Sequence, residues 1–316
     1  MQQEHIAAGK EIQKRTGKTF YLATRFLPER VRNATHVLYA FFRIADEVVD
    51  DAAGVPPGEQ AARLEELRDQ ALGNADPEDP VLIAFSQLRE RYGIADEEIE
   101  EFIDAMKADI HTSRYETYEE LEGYMRGSAA AVGVMMTAIM EPDEPEMALP
   151  HAITLGEAFQ MTNFLRDVRE DVTERDRIYL PQETLRAHDV PVEQVEALEM
   201  SESFASAMAD ELRRTEALYR EGVAGIRYLP ADCQLPVLLA AVLYAEPHRV
   251  IRSQGYDVLT EEPSLSTARK LWCVARTRWH WHWNRDPEAV FERVSAVPSA
   301  DTGRPGIDPG ERIPTR

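Results

Sequence analysis

Two pairs of aspartates in this sequence have a spacing that places both members of each pair on one face of a helix. Asp46 and Asp50 are four residues apart, and Asp167 and Asp171 repeat that spacing about 120 residues later. Residues four apart lie one helical turn apart on the same side, where like charges repel each other. Since this arrangement does not favour helix stability, a bound cation explains the two pairs better than folding does.

Polar residues near each pair extend the candidate site. Arg43 precedes Asp46 by three residues, whereas Gln160 and Asn163 precede Asp167 in a single helical row, and the remaining neighbours are apolar. Four carboxylates on two facing helices would form a hard-cation site, which suits Mg²⁺ completed by a substrate phosphate, with Mn²⁺ as a substitute. Neither row contains histidine or cysteine, which argues against zinc.

The elements that must position these residues are helices. Apolar residues recur at helical spacing in nine stretches: Thr35–Asp51, Gly58–Leu72, Pro80–Tyr92, Asp96–His111, Tyr115–Met140, Pro150–Arg169, Val192–Glu221, Asp232–Gln254 and Ala268–Trp279. No strand-rich pattern, dinucleotide fingerprint or P-loop is present. We therefore predict an all-α fold, a single-domain bundle of eight to ten helices with a central active-site cavity. The domain is expected to span residues 1–285, and residues 286–316 are expected to form a disordered tail.

The composition excludes some classes of partner. The chain has 57 acidic and 35 basic residues, a net charge of −22 and only five lysines. This charge argues against nucleic acid and against docking on anionic lipid by charge. An acidic, lysine-poor composition is typical of proteins adapted to high salt. The two cysteines, Cys233 and Cys273, lie in apolar helical patterns and are expected to be buried and reduced.

The sequence predicts a cytoplasmic protein. Residues 1–18 are polar and lack the apolar segment of a signal peptide, and no apolar run reaches the ~20 residues that span a bilayer. An apolar substrate would still allow peripheral association with a membrane. The stretch Trp279–Trp283 has three interpretations: packing of the last helix, a membrane-interface cluster, or an H-x-H metal pair.

Four stretches together resemble motifs of the squalene/phytoene synthase family. They are residues 41–51 (FFRIADEVVDD), 160–171 (QMTNFLRDVRED), 17–21 (GKTFY) and 124–133 (YMRGSAAAVG). The resemblance extends from about residue 10 to about residue 285. Residues 177–181 (RIYLP) most resemble phytoene synthases, and the composition suggests one from a halophile.

The resemblance implies an isoprenoid synthase fold and a prenyltransferase of carotenoid biosynthesis. Two geranylgeranyl diphosphates would condense head to head, through a cyclopropylcarbinyl (prephytoene) diphosphate, to phytoene and released diphosphate, with Mg²⁺ and without NADPH. The implied metal ligands are Asp46, Asp50, Asn163, Asp167 and Asp171. The implied catalytic residues are Asp46, Asp50, Asp167 and Asp171 together with Arg43, Tyr39, Tyr124 and Tyr244. The implied substrate contacts are Phe20, Arg43, Gln160, Asn163, Val132 and Gly133.

One departure and two alternatives remain at this stage. The family usually has basic residues where this chain reads Thr260–Ser264, which contains two glutamates, so Arg269 or Arg252 would have to compensate. A squalene or dehydrosqualene synthase acting on farnesyl diphosphate is the first alternative. A non-catalytic isoprenoid-binding helical protein is the second. The expected partners are prenyl diphosphates, and the oligomeric state is left open.

Overall fold

Helices make up nearly all the regular structure of the computed structural model, which describes residues 22–50, 54–77 and 79–299. They are α1 (Glu29–Asp50), α2 (Pro57–Leu72), α3 (Pro80–Tyr92), α4 (Asp96–Ala108), α5 (Tyr118–Met125), α6 (Ala131–Met140), α7 (Pro145–Arg166), α8 (Val168–Arg175), α9 (Gln182–Ala187), α10 (Val192–Glu196), α11 (Glu202–Ala224), α12 (Ala231–Ala245), α13 (Pro247–Ser253), α14 (Thr267–Trp283) and α15 (Pro287–Val294). A π-helical turn, Arg126–Ala130, joins α5 to α6. The described residues form no strand beyond an isolated bridge between Arg114 and Ile178. The all-α prediction is confirmed.

Helix α1 illustrates how local pattern positions the site. Five of its buried residues form a stripe that recurs every three or four positions: Val31, Ala34, Leu38, Phe41 and Ala45. Burial of this stripe against the neighbouring helices fixes the rotation of α1 about its axis. The adjacent row, at positions 39, 43, 46 and 50, is thereby turned toward the interior cavity described below.

Several predicted helix bounds differ from those observed. Helix α7 begins at Pro145, five residues before the predicted start, and ends at Arg166 rather than Arg169. The single helix predicted over Val192–Glu221 is two helices, because the backbone leaves the helical region between α10 and α11 and Ser201 caps α11 by accepting a hydrogen bond from the Phe204 amide. The described residues therefore contain more helices than the eight to ten predicted.

The core consists mainly of two hydrophobic clusters, with a third around α8, α9 and α11. One hydrophobic cluster joins α1, α2, α3, α4 and α6, and a second joins α7, α11, α12, α14 and α15. Both cysteines are buried and unpaired, as predicted. No helix in the described part of the chain has the length and hydropathy needed to cross a bilayer.

The C-terminal boundary was predicted too early. Asp286 caps α15, and Val290 and Phe291 of that helix are buried in the second cluster. The expectation of a disordered tail is therefore wrong for residues 287–294, because apolar residues at helical spacing anchor them to the domain. Residues 300–316 lie outside the described residues.

The acidic composition leads to a prediction about stability. We expect the thermal midpoint to rise by roughly 10 °C between about 0.05 M and about 2 M KCl, because salt screens the repulsion within a chain of net charge −22. Differential scanning calorimetry checks this, with a neutral osmolyte series as the control. A midpoint that does not change with KCl would show that the chain is acidic without being salt-dependent.

Candidate active site

A cavity of about 950 Å³ is lined by residues of α1, α4, α6, α7, α8 and α12. That volume is at the upper end of the ~300–1,000 Å³ range of ligand pockets. Along α1 the lining passes from Thr35 and Leu38 to Asp46 and Asp50, a distance of about 22 Å at the helical rise. The cavity therefore has an apolar end and a charged end, which suits a ligand with a long apolar chain and an anionic head.

The lining residues divide by chemistry. The polar ones include Arg43, Asp46, Asp50, Asp109, Gln160, Asn163, Arg166, Asp167, Glu170, Asp171, Arg175, Arg177 and Glu262. The apolar and aromatic ones include Leu38, Tyr39, Phe42, Phe102, Met106, Tyr124, Ala129, Val132, Met136, Phe159, Phe164, Tyr179 and Tyr244. Eleven of the thirteen residues predicted for the site line this cavity.

The first wall of the charged end belongs to α1. A guanidinium nitrogen of Arg43 lies 3.2 Å from a carboxylate oxygen of Asp46, and the other lies 3.6 Å from Glu47. Arg43 Nε is buried and has no hydrogen-bond partner among the residues that the structure describes. Burial raises the pKa of Asp46 to about 7, despite the attraction of Arg43. This wall can therefore bind a cation at the Asp46 carboxylate and an anion at the Arg43 guanidinium.

The second wall lies at the junction between α7 and α8. Asp167 occupies the junction with a non-helical backbone, and the amide of Asp171 still donates to its carbonyl at 2.9 Å, so that the one-turn separation of the pair is kept. Arg166 Nε donates to the Asp167 carboxylate at 2.6 Å. Burial raises the pKa of Asp171 to about 7.

Two arginines connect the walls. Arg175 lies 3.1 Å from Asp171 and 3.7 Å from Asp50, and Arg177 lies 3.6 Å from Asp50. One guanidinium can reach both carboxylates only if the two aspartate pairs face each other. The predicted juxtaposition of the two helices is therefore observed.

The chemistry of these side chains fits Mg²⁺. In the described ranges no three acidic, histidine or cysteine side chains are close enough together to form a metal cluster, and arginine separates Asp50 from Asp171. Such a cluster is not required, because Mg²⁺ is usually held by one or two carboxylates together with water and substrate phosphate. Hard oxygen donors surround one cavity, and burial raises the pKa of Asp46 and of Asp171 although an arginine pairs with each, so an added cation would stabilise both charged carboxylates.

Asp109 is a site residue that sequence reasoning missed. It follows α4, lines the cavity and accepts a hydrogen bond from the Tyr124 hydroxyl at 2.8 Å. Burial raises its pKa to about 6, and Arg177 donates to its carbonyl oxygen at 2.8 Å. A signal was present, because Phe102, Met106 and Asp109 follow one another at helical spacing, which places a carboxylate on a buried apolar stripe.

Aromatic rings line the cavity below the charged end. Phe164 and Tyr179 stack with centroids 3.9 Å apart, and Tyr124 lies 6.3 Å from Phe164. Tyr244 stacks on Phe159 at 4.6 Å. Because the faces of aromatic rings attract cations, these side chains can stabilise positive charge on a bound hydrocarbon.

One predicted residue, Gly133, does not line the cavity. Gly133 faces α7, where a Cβ would lie 2.5 Å from the carbonyl oxygen of Ala152, so its small size serves helix packing. Phe20 lies outside the described residues. Neither proposed replacement for the missing basic residue lines the cavity, since Arg269 pairs with Glu246 and Arg252 with Glu216. Arg166, Arg175 and Arg177 supply the positive charge instead.

Comparisons with known sequences identify the family of this chain. The squalene/phytoene synthase family profile matches residues 13–269. A 15-cis-phytoene synthase from Synechococcus elongatus is 32% identical over 273 residues, which cover 83% of this chain and 88% of the relative. A phytoene synthase from Thermus thermophilus is 36% identical over 244 residues, 76% of this chain and 81% of the relative.

Solved structures show the same fold. A dehydrosqualene synthase in complex with a ligand superposes with a TM-score of 0.80 at 27% identity, over 89% of this chain and 98% of the other. A squalene synthase from Alicyclobacillus acidocaldarius has a TM-score of 0.70 at 23% identity, over 80% and 95% of the two chains, and shows the fold alone. The matched residues include both aspartate pairs, and the chain belongs to the squalene/phytoene synthase family.

Proposed function

We propose that this chain is a phytoene synthase, a prenyltransferase that condenses two geranylgeranyl diphosphates head to head. The observation that carries the proposal is the cavity itself, in which two facing walls of aspartate and arginine lie at one end of a long apolar space. The similarity to phytoene synthases from several organisms supports the choice of reaction.

The charged end binds and activates the leaving group. Mg²⁺ held by Asp46, Asp50, Asn163, Asp167 and Asp171 would neutralise the diphosphate and so favour its departure. Arg43 and Arg175 bind the phosphate oxygens through charge-assisted hydrogen bonds. Loss of diphosphate leaves an allylic cation, for which the rings of Tyr39, Tyr124 and Tyr244 provide negative faces.

The apolar end protects the cation from water. Val132 and Met136 line this part of the cavity with small and apolar neighbours, so the cation meets the double bond of the second substrate instead of solvent. The product of this first half is a cyclopropylcarbinyl diphosphate. It ionises in turn, rearranges, and loses a proton to the released diphosphate or a carboxylate, which forms the central double bond of phytoene.

Binding of Mg²⁺ can be tested without turnover by measuring the thermal stability of the protein. We expect millimolar Mg²⁺ to raise the thermal midpoint of the chain without substrate, since ligand at about 100 times Kd stabilises by about 2.7 kcal/mol. Asp171→Asn should remove most of the increase, whereas Glu174→Gln, an exposed position on the same helix, should leave it unchanged. An equal response of wild type and Asp171→Asn would contradict the metal assignment.

The length of the prenyl chain in the preferred substrate distinguishes the proposal from its alternatives. The dehydrosqualene synthase neighbour makes a C15 substrate the specific competitor. Purified protein is incubated with Mg²⁺ and either farnesyl or geranylgeranyl diphosphate, and the extracted hydrocarbon is identified by mass spectrometry. We expect a C40 product from the C20 substrate at a rate well above that of any C30 product. Faster turnover of the C15 substrate would favour squalene or dehydrosqualene synthesis, and no turnover of either would favour a non-catalytic isoprenoid-binding protein.

The proposed function also bears on location. We propose that the protein is cytoplasmic and associates peripherally with a lipid surface, because the substrate tails and the C40 product are apolar. Its partners on this account are prenyl diphosphates, and NADPH is not required.

A further inference from the structure

Helix α14 carries all four tryptophans of the chain and exposes three of them. Trp272, Trp279 and Trp283 are 44%, 64% and 71% exposed, and Leu271 on the same helix is 56% exposed. Among the described residues only Met147 also counts as a large exposed apolar side chain. Because monomeric proteins rarely expose clustered large apolar residues, this concentration indicates an interaction surface.

The exposed residues form a continuous face, which we call the tryptophan face (Leu271, Trp272, Ala275, Trp279 and Trp283). Four of its members are spaced by four residues, which aligns them along one side of the helix. Trp279 and Trp283 touch edge to face, with centroids 6.1 Å apart. The opposite side, which includes Cys273, Val274 and Trp281, packs on the core. Packing of α14 on the core therefore accounts for only one of its two apolar sides.

The charge around the tryptophan face is opposite to that of the whole molecule. Residues 264–285 contain no aspartate or glutamate, although the chain has 57 acidic residues. Within the described part of the chain Arg276, Arg278 and Arg285 form no ion pair. The guanidinium carbons of Arg269 and Arg276 lie 4.2 and 4.9 Å from the centroid of the Trp272 ring. Apart from Arg269, which pairs with Glu246, the arginines beside the exposed indole rings have no carboxylate partner among the described residues.

We propose that the tryptophan face docks on an anionic lipid surface. Indole rings favour the headgroup level of a bilayer, and arginines near them attract anionic headgroups. A second copy of the chain is a poorer occupant, because a two-fold contact would press this basic surface against itself. The overall charge of −22 argued against lipid docking, but the contact here is local and screening shortens the reach of the distant acidic residues.

This inference deepens the proposed peripheral association and can be tested without the synthase reaction. Full-length protein is mixed with vesicles of phosphatidylglycerol and phosphatidylcholine, or of phosphatidylcholine alone, and bound protein is separated by flotation. We expect binding to the anionic vesicles, weaker binding to the neutral ones, and a blue shift of tryptophan emission, which reports on α14 alone because all four tryptophans lie there.

A double variant and a matched control make the test specific. Trp279→Ser with Trp283→Ser should lower the affinity for anionic vesicles by about tenfold or more. Met147→Ser, which removes the exposed apolar side chain of α7, should leave it unchanged. Circular dichroism and product formation from soluble substrate monitor the fold and the synthase activity separately.

Three results would overturn the inference. The first is the absence of vesicle binding by the folded wild-type chain, and the second is an equal loss of binding in the double variant and the Met147→Ser control. The third is a wild-type dimer in light scattering that becomes a monomer in the double variant, which would assign the tryptophan face to a second copy. Each result stands whether or not the chain makes phytoene.

Discussion

Replacing Asp46 or Asp167 by asparagine is expected to lower turnover about a thousandfold or more while the fold stays intact. Each substitution keeps the shape of the side chain and removes one negative charge from the charged end of the cavity, so the leaving group loses several kcal/mol of stabilisation. Helical circular dichroism should be unchanged or slightly stronger, because the repulsion between residues four apart is relieved. Steady-state rates of hydrocarbon formation measure the effect.

Glu174→Gln is the matched control for this prediction. It removes one acid from α8, on an exposed position that does not line the cavity. Its rate should remain within about twofold of wild type, as for most surface substitutions away from a site. Near-normal product formation by Asp46→Asn or Asp167→Asn would contradict the roles proposed for the aspartate pairs.

Arg177→Leu is expected to lower the free energy of unfolding by about 3 kcal/mol. The Arg177 side chain is 10% exposed, lies 3.6 Å from Asp50 and donates to the carbonyl oxygen of Asp109 at 2.8 Å. Its removal leaves the Asp50 and Asp109 carboxylates without this compensating charge. Urea denaturation followed by circular dichroism measures the change.

An exposed arginine provides the comparison. Arg186 pairs with Glu116 at 2.7 Å, and both side chains are more than half exposed. Arg186→Leu should cost less than about 1 kcal/mol, as is usual for surface ion pairs. If the two substitutions had equal costs, Arg177 would not hold the two walls of the site as described.

Features that depend on neighbours in sequence could be predicted well. The row of Tyr39, Arg43, Asp46 and Asp50 follows from helical spacing alone, and the structure places all four residues in one cavity. Helix α15 had the same kind of signal, with Asp286 and Pro287 at its start, as at Asp79 and Pro80. The proline and glycine residues that follow this helix favour disorder, and for this reason the sequence pattern predicts a tail there instead of a helix.

Features that depend on contacts between distant segments could not be predicted. Arg177 reaches Asp109 because the amide of Ile178 donates to the carbonyl of Ser113, which holds the segment after α8 against the end of α4. No spacing of residues in the sequence predicts this contact between Arg177 and Asp109. Small residues are ambiguous for a similar reason, since Ala129 borders the cavity and Gly133 one turn later fits against α7.

The central claim is that this cavity joins two C20 diphosphates and ends the reaction by loss of a proton. Its most direct test is the hydrocarbon made from geranylgeranyl diphosphate and Mg²⁺, analysed by mass spectrometry with and without NADPH. The account predicts the same product in both samples, a C40 hydrocarbon with a central double bond, with two diphosphates released for each molecule formed. A C40 product that appears only with NADPH and carries two more hydrogens, or no C40 product under either condition, would contradict it.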